Sequence, residues 1–140
     1  MKDVLDLLAR LLIAFIFLFE AYDSIAHWET TQQSMTNYGV TWNQDFLLGG
    51  AVTLLIVGGI LLAVGYRTGL GAILVLLYWV PATFIVHDFW THPPGPEYRT
   101  QSILFMKNLA ITGGLLLLWL HGSARYAVKR LFTTTRVRGV

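Results

Sequence analysis

The chain has 140 residues, of which 55% are hydrophobic and 13% charged, with net charge +2, a pI of about 9.1 and mean hydropathy +0.58. A soluble domain carries about 25% charged residues, so the shortfall excludes an ordinary soluble domain and marks a membrane protein of one compact unit. The absence of cysteine excludes disulfides, thiol catalysis, iron–sulfur clusters and cysteine zinc sites, and the basic residues lie beside apolar runs rather than on a nucleic-acid-binding face.

Four segments have the length of about 20 residues that a membrane-spanning helix needs. They are residues 4–26, 46–64, 70–86 and 103–120. At the first, Lys2 and Arg10 precede an apolar stretch, and Ser24-Ile25-Ala26 imitates the cleavage site of a leader peptide. Glu20 and Asp23 sit poorly in a cleavage region, so the segment reads as the first membrane helix. The connection 27–45 is polar and contains Gly39 and Asn43. The second segment carries Gly49-Gly50 and Gly58-Gly59, and small residues let membrane helices approach closely. Gly65-Tyr66-Arg67-Thr68-Gly69 is a tight turn, which makes segments two and three an antiparallel hairpin. Pro81 is expected to kink segment three and to free a backbone carbonyl one turn earlier. The connection 87–100 contains Pro93-Pro94-Gly95-Pro96 and is expected to be an extended turn. Residues 122–140 form a basic tail.

The basic residues set an orientation. In a four-span arrangement Lys2, Arg10, Arg67 and the tail residues Arg125, Lys129, Arg130, Arg136 and Arg138 fall on one side, whereas Arg99 and Lys107 fall on the other. The positive-inside rule then puts both termini in the cytoplasm, with 1–121 as the membrane domain and 122–140 as a cytoplasmic tail. The expected fold is an all-α integral membrane four-helix bundle.

The polar residues inside the apolar segments carry the functional argument. Glu20, Asp23 and His27 have i, i+3, i+7 spacing and share a helix face. His87 and Asp88 end segment three on the same side of the membrane. Gln101, Asn108 and Thr112 form a stripe on segment four, with Lys107 about 100° away. A lysine at the centre of a spanning helix costs roughly 2.5–3.5 kcal/mol and needs a partner. The simplest electrostatic account pairs it with Glu20 or Asp23, and Glu20 is the deeper acid. That pair read as purely structural joins helices one and four; read as functional, the cluster is a pocket for a polar head group such as a quinone, or a proton route. A third reading, a histidine metal site from His27, His87 and His92 with Asp23 and Asp88, matches no zinc spacing, and no metal is assigned. No phosphate loop, nucleophile elbow, dinucleotide fingerprint or haem-attachment motif is present.

Several motifs together resemble the DoxX-like family of small four-helix bacterial membrane proteins. They are the Arg10 helix running into Glu20 and Asp23, the Gly49-Gly50…Gly58-Gly59 helix, and the Tyr66-Arg67-Thr68-Gly69 turn. To these add His87-Asp88-Phe89-Trp90 and Gln101…Phe105-Met106-Lys107-Asn108-Leu109…Gly113-Gly114. The resemblance covers nearly all of residues 5–121. It implies a bundle in the bacterial cytoplasmic (inner) membrane with both termini inside. It also implies links, in some relatives, to quinone-dependent oxidation of sulfur compounds, and in others to oxidative-stress complexes or membrane-protein assembly. Some wider relatives carry thiol pairs; this chain has no cysteine and does not inherit that chemistry. Carried over by motif as pocket residues are Glu20, His87, Asp88, Gln101, Lys107 and Asn108.

Two functions from different classes follow as expectations. The first is a redox-associated protein, at most an oxidoreductase subunit, with a quinone-type pocket in the outer leaflet. Its ligand-binding residues are Glu20, Asp23, His87, Asp88, Gln101, Lys107 and Asn108: Glu20 and Lys107 as a charged pair, His87 and Asp88 exchanging protons, Gln101 and Asn108 binding carbonyl-like oxygens. The second is a non-catalytic accessory or assembly subunit of a larger membrane complex. A transporter ranks below both, because no internal inverted repeat is visible. The partners expected are the lipid bilayer and a membrane protein or second copy, with no nucleic acid; quinone is the one cofactor implied.

Overall fold

A computed structural model describes residues 2–121. The tail and its expected cytoplasmic placement lie outside the described residues. Among the described residues five α-helices follow one another: α1 (Lys2–Ala26), α2 (Trp28–Asn37), α3 (Gln44–Val64), α4 (Thr68–Val86) and α5 (Pro96–His121), with a 3-10 turn at Phe89–Thr91 between the last two. No strand occurs among the described residues.

Hydrocarbon offers no partner to a backbone N–H or C=O, so continuous apolar runs must satisfy themselves as helices. The four apolar runs of the sequence lie within α1, α3, α4 and α5. Three of these helices are long and apolar enough to cross a membrane: α3, α4 with its following turn, and α5. At 25 residues α1 has the length, yet it carries Asp6, Arg10, Glu20 and Asp23. The long helices alternate in direction. α1 packs on α3, α3 on α4 and α4 on α5, and a thin α1–α5 seam completes the circuit.

The α3–α4 hairpin turns through two left-handed residues, Gly65 (φ 72°) and Arg67 (φ 48°). Below the turn the two helices touch backbone to side chain. A Cβ added at Gly58 would lie 2.6 Å from Val75 Cγ2 and 2.9 Å from the Gly71 carbonyl. Its neighbour Gly59 faces α1, where a Cβ would meet Leu18 Cδ2 at 2.8 Å. Phe17, Leu55, Leu62, Val75 and Leu115 are buried where the four helices meet. Trp79 packs edge-on against Phe17 there, with ring centroids 5.0 Å apart. Most other large apolar side chains point outward, as they must in a bundle whose solvent is lipid.

Three features differ from the sequence reading. The polar connection after α1 contains a helix, α2. Its composition has no apolar period to reveal it, and its hold on the bundle comes from side chains at the start of α3. Asp45 accepts from Trp28 Nε1 (3.1 Å) and Gln32 Nε2 (2.7 Å), and Gln44 Nε2 donates to Thr36 Oγ1 (2.8 Å) and the Val40 carbonyl (2.7 Å). Second, α5 starts at Pro96, within the proline-rich connection. A proline in the first turn loses no intrahelical bond and has its φ already set. Third, Arg10 is buried, with 1% of its surface exposed. Its Nε binds Asp6 Oδ2 at 3.1 Å, and its Nη1 donates to the Leu62 and Ala63 carbonyls at 3.3 and 3.4 Å. Those carbonyls belong to the last turn of α3, which has no basic residue of its own.

Candidate functional site

Where α1, α4 and α5 meet, polar side chains turn toward one small cavity. Glu20 projects from the second half of α1 and accepts a hydrogen bond from the Tyr78 hydroxyl at 2.9 Å. Its other carboxyl oxygen has no partner among the described residues. One turn and a little further along α4, Thr83 Oγ1 donates back to the Trp79 carbonyl at 2.7 Å and accepts from Asn108 Nδ2 at 3.1 Å. Trp79 Nε1 returns the link, donating to the Asn108 carbonyl at 3.3 Å. The α4 and α5 backbones are thus held by bonds in both directions at Asn108. At the end of α4, His87 Nδ1 lies 2.8 Å from Gln101 Oε1 on α5. With the amide oxygen as acceptor, Nδ1 carries the proton and Nε2 is a free acceptor; with the amide turned over, the roles reverse.

Glu20, Tyr78, Thr83, His87 and Asn108 line this cavity of about 260 Å³, with Ala82 and Val86 among its apolar walls. A second, larger cavity of about 620 Å³ lies on the other side of the Glu20–Tyr78 bond, between α1, α3 and α4 and under α2. Both cavities share Glu20, Tyr78, Ala82 and Val86. The hydrogen-bonded pair therefore borders both cavities.

The residues expected at the site divide. Glu20, His87 and Asn108 line the small cavity, and Gln101 reaches it through His87. Asp23 faces the larger cavity and lies 3.1 Å from His27 Nδ1. Asp88 stays in the turn after α4, accepting from Thr91 Oγ1 at 2.9 Å. Lys107 is exposed on α5 and forms no ion pair with Glu20; Tyr78 holds that carboxylate instead. The reason is rotational. Neighbouring residues on a helix point about 100° apart, and Asn108 is the one turned toward α4, so Lys107 faces out. Tyr78 and Thr83 were missed because an isolated tyrosine or threonine in an apolar run reads as packing. For Thr83 the four-residue spacing to His87 was the available signal; Tyr78, nine residues before His87, gave none. An aromatic group fixes the corner that carries His87: Phe89 stacks edge-on to Trp90, Tyr98 and Phe105 at 5.2, 5.5 and 5.4 Å.

The Asn108–Thr83 bond is open to measurement. A cycle of Asn108→Leu and Thr83→Val in the folded bundle is expected to show a coupling of about 0.6 kcal/mol, up to about 1.7, the range found for hydrogen bonds between membrane helices. Additive single effects would mean that the two side chains do not meet.

Comparison with known proteins adds the following. The family model for DoxX matches residues 5–88. The chain is similar to the inner membrane protein YqjF of Escherichia coli (strain K12), 30% identical over 131 residues, which is 94% of this chain and 94% of YqjF. It is also similar to the inner membrane protein YphA of the same organism, 27% identical over 129 residues, covering 92% of this chain and 91% of YphA. No solved structure matches the chain. The family match runs to Asp88, the start of the aromatic corner, and the likeness to the two relatives extends over most of the chain, α5 included.

Proposed function

The chain belongs to the DoxX family, and on that premise we propose that its small cavity receives the head group of a quinone-type molecule. As a multi-pass inner-membrane protein it meets such molecules in the bilayer. The observation that carries the reading is the convergence of Glu20, His87 and Asn108, from three helices, on one cavity of about 260 Å³. Glu20 contributes a carboxyl oxygen without a partner among the described residues. His87, buffered by the reversible Gln101 amide, offers either a donor or an acceptor to a carbonyl or hydroxyl oxygen. Tyr78 holds Glu20 in place. A quinone supplies reversible two-electron chemistry when bound. The chain's own part is to orient the head group and to hold a proton at Glu20 or His87, with electrons coming from a protein partner.

All four long helices span in this reading, and both termini face the cytoplasm. Arg10 and Glu20, the charges of α1 deepest in the span, are compatible with a membrane path because they have partners inside the bundle. Asp6 and Arg10 bind each other, Arg10 binds α3, and Glu20 binds α4. The described basic residues Arg10 and Arg67 lie at one end and Arg99 at the other.

Binding is tested on the purified full chain in mild detergent, with decylubiquinone as the probe. At a ligand concentration of about 100 times Kd, linkage stabilises a fold by about 2.7 kcal/mol, which appears as a raised melting temperature. The shift is expected in the wild type and lost in Glu20→Gln. Absence of any shift in the wild type refutes the pocket, and an equal shift in Glu20→Gln puts the quinone elsewhere.

One observation favours a second role, as a subunit that docks on a larger membrane complex. Lys107 is exposed about 16 Å along α5 from Pro96, at 1.5 Å per residue. An acidic partner helix covering it removes an insertion cost of roughly 2.5–3.5 kcal/mol. Lys107→Met is then expected to weaken co-purification of the partner while leaving the decylubiquinone shift intact.

A further inference from the structure

The larger cavity is not needed for the quinone reading, and its chemistry is different. It is about 620 Å³, inside the range of about 300–1,000 Å³ typical of small-molecule sites. Its walls are mainly apolar: Leu48, Leu54, Leu77, Pro81 and Ile85 come from α3 and α4, and Met35 from α2. Three aromatic side chains, Tyr38, Phe46 and Tyr78, reach it from three helices or their ends. Among the described residues the only charged side chains lining it are two acids, Glu20 and Asp23; no described lysine, arginine or histidine does so.

We infer that this cavity binds a lipophilic monovalent cation, one whose charge is buried in an aromatic or alkyl body. Three physical facts select that class. An apolar cavity of this size rewards a bulky apolar body, because each square ångström removed from water contributes about 25 cal/mol. Two carboxylates without a basic residue in the described lining repel an anion. They attract a cation, the more so because Glu20 has only a neutral hydroxyl as partner among the described residues. Aromatic faces around the same space add cation–π attraction, which strengthens when water is excluded. A neutral guest of the same shape gains the first term alone. Of the two acids, Asp23 is the weaker attractor, since it lies 3.1 Å from His27 and is exposed. Glu20 is the main charge determinant, and it lines both this cavity and the smaller one.

The structure also supplies a way to fill the cavity without disturbing the core. Gly50 lines it from α3, and a Cβ built there meets nothing within 4 Å. Gly50→Leu therefore grows into the empty space. Gly50 does not line the small cavity.

The test is equilibrium binding to the purified full chain in nanodiscs of a zwitterionic lipid, with tetraphenylphosphonium and its anionic isostere tetraphenylborate. Saturable binding of tetraphenylphosphonium is expected, with tetraphenylborate weaker by roughly tenfold or more. Glu20→Gln is expected to weaken the cation by a similar factor, and Gly50→Leu to abolish its binding while leaving the decylubiquinone shift as in the wild type. Should Glu20→Gln fail to fold, the isostere pair and Gly50→Leu still decide the matter. Equal binding of both ions, equal binding of neutral triphenylphosphine oxide, or undiminished binding in Gly50→Leu each overturns the inference. Failure of the quinone reading is seen separately, in the wild-type response to decylubiquinone.

Discussion

Replacing Arg10 with methionine is expected to lower the stability of the bundle by about 2–3 kcal/mol, the range for hydrogen bonds to a charged group inside a protein. The last carbonyls of any helix lack intrahelical donors and sit at the negative end of its dipole. On α3 two of them, Leu62 and Ala63, are answered by a guanidinium from a different helix. Methionine fills the same space and removes the guanidinium from both carbonyls, leaving Leu62 with the Gly65 N–H at 3.2 Å. The loss stays below the roughly 3–5 kcal/mol of a broken, fully buried pair because the partner acid can hydrate; Asp6 is 43% exposed. Arg10→Lys is expected to recover about half, since an ammonium carries the charge but not the flat fork that reaches Asp6 and α3 together. The measurement is reversible unfolding in mixed micelles for the three proteins. Equal midpoints for Arg10→Met and wild type would remove the capping role. The consequence extends to the site: Arg10 lies ten residues before Glu20, about 15 Å along α1. By anchoring α1 to the end of α3 it sets the depth at which Glu20 meets Tyr78.

This arginine also shows where sequence reasoning stops. In the sequence Arg10 is one more basic residue at a helix end expected to face the cytoplasm, and positive-inside counting accounts for it fully. Its burial depends on where α3 ends, a tertiary fact. The long helices were legible for the opposite reason, since lipid makes continuous apolarity a local requirement. Half of the candidate site was legible on the same ground: Glu20, His87 and Asn108 are polar groups where apolar ones belong. What could not be read was the rotation of α5 about its axis. Lys107 and Asn108 are adjacent, and the burial of Phe105 and Leu115 decides which of them turns inward. The stronger charge drew the pairing to Lys107, and the structure gives Glu20 to Tyr78. The missed helix α2 follows from composition, because a polar helix held by Asp45 and Gln44 leaves no periodic trace of its own.

Gly58→Ala is expected to destabilise the bundle by about 1–3 kcal/mol, the usual cost of overpacking, whereas Gly50→Ala is expected to be neutral or to gain up to about 1 kcal/mol from helix propensity. In the sequence the two glycine pairs of α3 look alike. In the fold they differ completely. The added methyl at Gly50 meets nothing, while at Gly58 it lies 2.6 Å from Val75 Cγ2 and 2.9 Å from the backbone oxygen of Gly71. A side chain can turn aside, but a backbone carbonyl moves only with its helix, so α4 must retreat from α3. Gly59→Ala falls between the two, because what it meets first is the flexible end of Leu18. The retreat of α4 has a functional reading as well. Val75 stands one turn before Tyr78, so displacing it draws the Tyr78 hydroxyl away from Glu20 at the border of the two cavities. Gly58→Ala should therefore lose ligand-induced stabilisation beyond what its lower melting temperature explains, and Gly59→Ala should keep it. The comparison of melting curves with and without decylubiquinone separates these outcomes. If all three alanine variants respond alike, the α3–α4 contact does not govern the site, and Tyr78 is positioned by α1 and α5 alone.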